Sequence, residues 1–316
     1  MKTVQTLTAV LLTLTLAAPA PAAERLTVML DWFVNPDHGP LIVAQEKNFF
    51  ASHGLQVELI APADPNNPPK MVAAGQADIA VSYQPQLHIF AAQGLPLVRI
   101  GTLVATPLNS LVVLADSGIR TVADLKNKRI GFSVGGFEDA LLKGMLRRHG
   151  LGLGDVELVQ VNFSLSPSLI AGKVDAVIGA FRNFELNQMD IAGHPGRAFY
   201  IEEEGVPPYD ELIFVAHKEK LGDKNQREIL RRFIKAVEQG VQFLINHPEE
   251  SWRLFHNSGD GLNNELNRRA WRDTIPRFAL RPAALDRARY EKFAEFLRGM
   301  GVVETVMKIE NHAVEL

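Results

Sequence analysis

The chain has 316 residues, 47% of them hydrophobic and 22% charged, and its formal net charge is -3. This is an ordinary globular composition, with enough apolar residues for a sizeable core in one large domain or two medium ones. The small negative charge gives no electrostatic footprint for nucleic acid or for an anionic membrane surface. We therefore expect neither nucleic acid nor lipid as a partner.

The first residues have the pattern of an export signal. Lys2 precedes an apolar stretch from Val4 to Ala18, and small residues follow it. The stretch is too short to span a bilayer comfortably, and no later segment approaches a transmembrane length. We expect residues 1–23 to be a signal peptide, cleaved after Ala22 or Ala23. The mature chain is then a soluble monomer without a direct membrane anchor.

The chain contains no cysteine. Its core must be stable without disulfides, although an exported protein could form them. The absence also excludes thiol catalysis, cysteine-ligated iron–sulfur clusters and a lipid-modified N-terminal cysteine. Exported, and without a lipid anchor, the protein is expected in the periplasm.

Strands and helices alternate along the first part of the sequence. The predicted strands are Leu26–Leu30, Leu55–Ile60, Ala77–Tyr83 and Leu97–Val104, and the predicted helices are Pro40–Ser52, a segment between Pro68 and Gly75, and Gln86–Gln93. Proline at the start and glycine after the end are typical helix boundaries. The alternation indicates a mostly parallel sheet with helices on both faces.

The pattern restarts after Asn109 and then becomes helical. The predicted extended segments are Ser110–Ala115, Arg129–Ser133, Glu157–Val161, Val174–Phe181, Ala198–Glu202 and Glu211–His217, and the helices among them are Thr121–Leu125, Phe137–His149, Pro167–Ala171 and Asn183–Ala192. The predicted helices of the tail are Lys224–Asn246, Pro248–Asn257, Asn263–Thr274 and Pro282–Met300.

This order predicts two lobes joined by two crossings. We expect lobe 1 at residues 24–115, lobe 2 at 116–203, and a return to lobe 1 with the helical tail at 204–316. The crossings are predicted near Leu114–Ile119 and near Glu203–Glu211. A cleft between two such lobes is a natural ligand site.

Several segments resemble one group of proteins. They are the spaced pattern of Trp32, His38, Pro40 and Ala44, "AAGQADIAVSY" at Ala73–Tyr83, "TVADLKNKRIGFS" at Thr121–Ser133 and "GKVDAVIGAF" at Gly172–Phe181. Together they resemble the substrate-binding proteins of ABC importers. The branch they are most similar to includes fungal thiamine-pyrimidine synthases and bacterial binding proteins for pyrimidine precursors of thiamine.

The resemblance covers nearly the whole mature chain. It implies the type II periplasmic-binding fold, an α/β architecture of two lobes with two open, mostly parallel sheets, flanking helices and a helical C-terminal tail. It also implies a small-molecule ligand and an ABC permease as partner. The segment at Thr121–Ser133 is shared by sulfonate, nitrate and amino-acid binders and specifies only the fold. The Trp32–His38 block and "FRNFE" at Phe181–Glu185 are more selective.

The loop after the first strand carries four candidate ligand contacts, Asp31, Trp32, Asn35 and His38. Ligands of open α/β sheets bind beyond the carboxyl ends of the strands. Trp32 offers a flat apolar face to a ring, and Asn35 and His38 can bond its heteroatoms. Alternatively, Trp32 covers the core and His38 caps the helix. The four groups together favour ligand contact.

Tyr83 and Gln84 end the third strand, at the same edge of the sheet as the first loop. Tyr83 either packs in the core with its hydroxyl group hydrated, or forms the second wall of the cleft, opposite Trp32.

In lobe 2, a strand end and helix start bring together Ser133, Gly135, Gly136, Phe137 and Glu138. Glycines let the backbone approach a ligand, and free N–H groups there can hold an oxyanion or a carbonyl. No lysine follows, so this is not a phosphate loop. Glu138 suits the helix dipole and is explained equally well as a first-turn residue. Phe137 is a candidate for the cleft.

The segment after the last inner strand of lobe 2 contains Phe181, Asn183 and Glu185. The resemblance implies that a carboxylate pairs with the amino group and nitrogen of a pyrimidine ring, and Asn183 and Glu185 match that role. A carboxyl group with a proton available satisfies both ring atoms. Alternatively, Glu185 is a solvated first-turn residue. Tyr209, near the return crossing, is either a hinge residue or a cleft wall.

The nine histidines form no metal-binding pattern and no catalytic constellation is visible. We therefore expect no metal, no cofactor and no enzymatic activity.

The main hypothesis is a binding protein that closes on an aminopyrimidine, such as hydroxymethylpyrimidine or its formylamino analogue, and delivers it to an ABC permease. One alternative is an enzyme like the fungal synthases, in which His38 is consumed. Those relatives carry a cysteine-rich motif that this chain lacks. The other is a sulfonate-, nitrate- or taurine-type binder.

Overall fold

The computed structural model describes residues 23–316. The predicted signal peptide, apart from Ala23, lies outside this range. Among the helices of residues 23–316, none combines the length and the apolar composition needed to cross a bilayer.

The first sheet has five strands in the order β2-β1-β3-β10-β4. The strands are β1 Glu24–Met29, β2 Leu55–Ile60, β3 Ile79–Ser82, β4 Leu97–Val104 and β10 Leu212–His217. β1 pairs in parallel with β2 and β3, whereas β10 is antiparallel to both β3 and β4. Only β10 therefore runs against the other strands of this sheet.

The second sheet has the order β7-β6-β8-β5-β9. Its strands are β5 Asn109–Leu114, β6 Arg129–Phe132, β7 Glu157–Gln160, β8 Ala176–Phe181 and β9 Gly196–Tyr200. β6 pairs in parallel with β7 and β8, and β5 is antiparallel to β8 and β9. The predicted architecture of two open, mostly parallel sheets is confirmed, with one antiparallel strand in each.

Helices flank both sheets. In chain order they are α1 Gly39–Glu46, α2 Phe49–Ser52, α3 Pro68–Ala73, α4 Gln84–Ala92, α5 Glu138–Arg148, α6 Leu165–Ile170, α7 Glu185–Ile191, α8 Lys224–Asn246, α9 Pro248–Asn257, α10 Glu265–Thr274 and α11 Arg287–Gly299. α8 and α9 pack on α1, and α11 packs beside α4. The helical tail thus covers lobe 1.

Two features differ from the sequence-based expectations. The helix predicted at Pro40–Ser52 is split into α1 and α2, because Asn48 adopts a left-handed conformation with φ of 57°. The first crossing lies between Val104 and Asn109, ahead of the predicted segment, because β5 already pairs with β8 and β9 in the second sheet. The second crossing, between Tyr200 and Leu212, includes the predicted one.

Close backbone packing fixes the start of α1, where the candidate loop of lobe 1 ends. A Cβ atom at Gly240 of α8 would collide with the carbonyl oxygen of Pro40, and one at Gly39 would lie 2.7 Å from the Trp271 ring. Glycine at these positions lets α8 and α10 press directly against the end of the loop. The loop is therefore held by the core of lobe 1.

The Gly240→Ala substitution tests this contact. We expect it to lower the free energy of unfolding by about 1–3 kcal/mol, because forcing extra atoms into a packed interface outweighs the better helix propensity of alanine. Urea denaturation measures the difference. Gly299→Ala is the matched control, since a Cβ atom there meets nothing within 4 Å. Equal stability of the two variants would contradict the packing argument.

Candidate functional site

A cleft between the two lobes lies at the carboxyl ends of β1, β3, β6 and β8. It encloses about 380 Å³ of space not filled by protein atoms, part of it open to solvent. The lining residues are Asp31, Trp32, Asn35, Asp37, Tyr83, Glu138, Leu165, Gly179, Phe181, Phe184 and Glu185. Four of them carry carboxyl groups and four carry aromatic rings.

Asp31 is the centre of a hydrogen-bonded group on the lobe 1 side. The Tyr83 hydroxyl donates to Asp31 Oδ2 at 2.9 Å, and His38 Nε2 lies 2.9 Å from Asp31 Oδ1. The backbone N–H of Asn35 donates to His38 Nδ1 at 3.3 Å, so the ring proton is on Nε2 and points at Asp31. Both nitrogens of His38 are therefore used within lobe 1, and the ring is fully buried behind the cleft wall.

Asp37 joins the two lobes at the edge of the cleft. Its Oδ1 accepts hydrogen bonds from the Asn183 side-chain amide of lobe 2 at 2.6 Å and from the Thr274 hydroxyl at 3.1 Å. Burial raises the pKa of Asp37 to about 6, partly offset by the nearby His38. The Asn35 side chain caps the same turn by accepting from the N–H of Asp37 at 2.8 Å.

Glu138 lies on the lobe 2 side, at the start of α5. Its Oε2 accepts a hydrogen bond from the N–H of Ser133 at 2.7 Å, and burial raises its pKa well above the usual range. A Cβ atom at Gly179 would lie 2.5 Å from the carboxyl carbon of Glu138. Gly179 has φ of 97° and lies where the β5–β8 register shifts, so this β-bulge makes room for the acid.

Glu185 begins α7 and accepts a hydrogen bond from the N–H of Phe181 at 2.7 Å. Burial, together with the negative charge of nearby Asp37, raises its pKa to about 8. At neutral pH this carboxyl group holds a proton. It can therefore donate one hydrogen bond and accept another.

Aromatic rings complete the walls of the cleft. Tyr83 stacks on Phe137 with ring centroids 4.6 Å apart, so that Phe137 supports Tyr83 from behind. Trp32 meets Phe163 of lobe 2 edge-on at 4.5 Å. Phe181 and Phe184 of lobe 2 line the cleft together with Trp32 and Tyr83, so rings from both lobes border the same space as the acids.

The structure brings about half of the predicted site residues to the cleft. Those that line it are Asp31, Trp32, Asn35, Tyr83, Glu138, Phe181 and Glu185. The others lie around it: His38, Gln84, Ser133, Gly135, Gly136, Phe137, Asn183 and Tyr209. Ligand contact by the members of both groups stays a prediction.

The surrounding residues have identifiable partners. Gln84 accepts a hydrogen bond from the N–H of Asp210 at 2.8 Å, the N–H of Gly135 donates to Asn66 at 3.0 Å, and Gly136 adopts a positive φ of 89°. Asn183 bonds Asp37 across the cleft. These hydrogen bonds hold the segments that surround the cleft in place.

Tyr209 lies in the second crossing and is fully buried. Its hydroxyl donates to Glu211, whose Oε2 also accepts the N–H groups of Leu108 at 2.7 Å and Asn109 at 2.9 Å. Leu108 and Asn109 end the first crossing and Glu211 ends the second. Burial raises the pKa of Glu211 to about 7. The two connections between the lobes are thus hydrogen-bonded to each other.

Sequence reasoning missed Asp37, Leu165, Gly179 and Phe184, all of which line the cleft. Gly179 had a usable signal, because glycine inside an apolar strand often marks a bulge or a close approach. Asp37 lies in the loop after β1 that carries four predicted contacts, but the residues around it do not show that its partners are Asn183 and Thr274. Among residues 23–316, no three His, Asp or Glu side chains converge in a way that could hold a metal ion.

The family model described as "NMT1/THI5 like" matches residues 35–251. The chain belongs to this family. A Haemophilus influenzae protein named for thiamine biosynthesis is 50% identical over 317 residues, which cover 100% of both chains. The formylaminopyrimidine-binding protein of Halalkalibacterium halodurans is 32% identical over 250 residues, 79% of this chain and 75% of that protein. Other similar proteins are named 4-amino-5-hydroxymethyl-2-methylpyrimidine phosphate synthase.

Solved structures agree on the fold. The alkanesulfonate-binding protein SsuA of Xanthomonas axonopodis pv. citri superimposes with a TM-score of 0.73 at 16% identity, over 94% of this chain and 99% of that one. Its fold is that of the periplasmic binding proteins, as predicted for this chain. At this identity the similarity speaks for the fold alone.

The protonation of Glu185 can be measured directly. Carbon-13 NMR of labelled glutamate side chains is expected to show a carboxyl group that titrates near pH 8 and is missing in Glu185→Gln. The folded pKa of about 8 exceeds the ordinary value of 4.5, so the free energy of unfolding falls as pH rises between these values. Glu185→Gln should remove that part of the slope. Identical titration curves near pH 8 would contradict the assignment.

Proposed function

We propose that the protein is an extracytoplasmic solute-binding protein that captures a thiamine pyrimidine precursor and delivers it to an ABC permease. The ligand is a planar aminopyrimidine such as 4-amino-5-hydroxymethyl-2-methylpyrimidine or its formylamino analogue. The observation that carries the proposal is the lining of the cleft. Four carboxyl groups and four aromatic rings border it, and within residues 23–316 no Lys or Arg is among the lining residues.

The acids match the hydrogen-bonding pattern of an aminopyrimidine. Such a ring presents amino N–H donors beside a ring nitrogen acceptor. A protonated carboxyl group can accept a hydrogen bond from the amino group and donate one to the ring nitrogen. Glu185, with its raised pKa, is in that form at neutral pH. Asp31 on the opposite lobe can accept from further N–H groups, while Trp32 and Tyr83 offer faces for stacking.

The same lining disfavours an anionic ligand. A sulfonate or nitrate in this cleft would face Asp31, Asp37, Glu138 and Glu185, without a basic side chain to compensate its charge. The similarity to sulfonate-binding proteins therefore extends to the scaffold, whereas the proposed ligand follows from the side chains.

The location outside the cytoplasm is part of the proposal. It is supported by the sequence pattern of residues 1–23 and by similar structures of periplasmic sulfonate-binding proteins. Delivery to a permease is likewise supported by the fold, since a two-lobed protein that closes on its ligand can present it to a transporter.

A second candidate is a pyrimidine synthase that consumes His38. It is favoured by the relatives named as synthases and by the spacing of His38 and Pro40. The position of His38 favours the binding function instead. The ring is fully buried, and its two nitrogens are engaged by Asp31 and by the N–H of Asn35.

A thermal-shift panel tests the proposed ligand class. Both aminopyrimidines are expected to raise the Tm of the wild-type protein, because a ligand that binds only the folded state stabilises it. Taurine, ethanesulfonate and nitrate are expected to leave it unchanged. Glu185→Gln should lose most of the pyrimidine shift, whereas Glu46→Gln, at an exposed carboxyl outside the cleft, should keep it. Stabilisation by sulfonates and not by pyrimidines would overturn the proposal.

The enzymatic alternative has its own test. Purified protein is incubated with ferrous iron, pyridoxal phosphate and oxygen, and the peptide that contains His38 is examined by mass spectrometry. We expect an unmodified histidine, because its ring is enclosed within lobe 1. Time-dependent loss of mass at His38, with release of a pyrimidine, would instead establish the synthase.

A further inference from the structure

Aromatic rings from both lobes meet at the mouth of the cleft. Trp32 and Phe33 follow β1 in lobe 1, and Phe163 and Phe184 lie on loops of lobe 2. Trp32 meets Phe163 at 4.5 Å between centroids with an interplanar angle of 68°, and Phe33 meets Phe184 at 5.8 Å. We call these four residues the aromatic gate.

The gate has an inner and an outer part. Trp32 and Phe184 line the cleft, whereas Phe33 and Phe163 are not among the lining residues. Phe33 is 40% exposed, which is unusual for a large apolar side chain in this molecule. It lies 5.6 Å from Trp32 and 6.3 Å from Phe163. The outer rings thus cover the inner ones on the solvent side.

Polar contacts between the lobes flank the gate. Arg269 of α10 pairs with Asp190 of α7 at 2.6 Å, and Asn187 donates to Asp273 at 2.8 Å. Arg269 and Asp190 are 37% and 61% exposed at their side chains, and ion pairs so open to water add little stability. The Trp32–Phe163 contact removes apolar surface from water, so it contributes to closure together with the buried hydrogen bond between Asn183 and Asp37.

We propose that Phe33 and Phe163 are positioning residues that hold the Trp32 indole over the bound ring and thereby set how slowly the ligand leaves. This inference rests on the proposed function and assigns different roles to two sets of residues. The acids and inner rings recognise the ligand, and the outer rings retain it.

The proposal makes a kinetic distinction. The contact between Trp32 and Phe163 joins different lobes, so it exists only when the lobes are closed. A ligand enters the open form and leaves after the closed form has opened. Removing the Phe163 ring therefore raises the dissociation rate constant and leaves the association rate constant unchanged, because Phe163 does not border the cleft.

Rate measurements with radiolabelled 4-amino-5-hydroxymethyl-2-methylpyrimidine test this distinction. Phe163→Ala is expected to raise the dissociation rate roughly tenfold, which corresponds to about 1.4 kcal/mol. Phe163→Tyr, which keeps the ring, should restore the wild-type rate. Leu280→Ala is the control, an exposed apolar side chain of lobe 1 outside the cleft, 64% exposed. A wild-type dissociation rate in Phe163→Ala, or an equal fall in association, would overturn the proposal.

Tryptophan fluorescence with and without ligand tests the gate. The chain has three tryptophans, and Trp252 and Trp271 are buried in the core of lobe 1. Saturating 4-amino-5-hydroxymethyl-2-methylpyrimidine is expected to lower the acrylamide quenching of the wild-type protein, because closure brings Trp32 against Phe163. The same ligand should lower the quenching less in Phe163→Ala. Equal protection of the two proteins would refute the gate, whereas a wild-type protein that neither gains Tm nor loses quenching with an aminopyrimidine would refute the proposed ligand.

Discussion

Buried carboxyl groups are costly to keep charged, and the cleft is arranged around four of them. Each is stabilised by donors from its own lobe or from the other one. Asp31 receives the Tyr83 hydroxyl, Glu138 and Glu185 receive backbone N–H groups, and Asp37 receives an amide from the opposite lobe. Where donors do not suffice, the group takes a proton, as the raised pKa of Glu185 shows. The result is a set of hydrogen-bond donors and acceptors in a space otherwise walled by rings.

The fold was largely predictable, because strands and helices alternate from Glu24 to His217 and the segments shared with binding proteins are spread over both lobes. The residues at strand ends were predictable for the same reason: in open α/β sheets these ends converge, which brought Asp31, Tyr83 and Glu185 to one place. Contacts between distant segments were not predictable: Asp37 is bonded to Asn183 and Thr274, which lie far along the chain. The role of His38 was not predictable either, because its chemistry suggests ligand contact whereas its partners are on its own loop. The first crossing was placed too late, since an extended segment alone does not show which sheet it joins.

The family contains proteins named for binding a pyrimidine and proteins named for making one. The loop from Asp31 to His38 carries both the acid that faces the cleft and the histidine behind it. In this chain, the N–H of Asn35 and the carboxylate of Asp31 fix the direction of the imidazole.

The hydrogen bonds from Leu108 and Asn109 to Glu211 have a mechanical consequence. Because the Glu211 side chain fastens one connecting segment to the other, the two segments form one joint between the lobes. Both sheets can then turn as intact bodies about that joint, and no strand pairing has to break when the mouth opens. Opening of the cleft then requires no unfolding of either lobe.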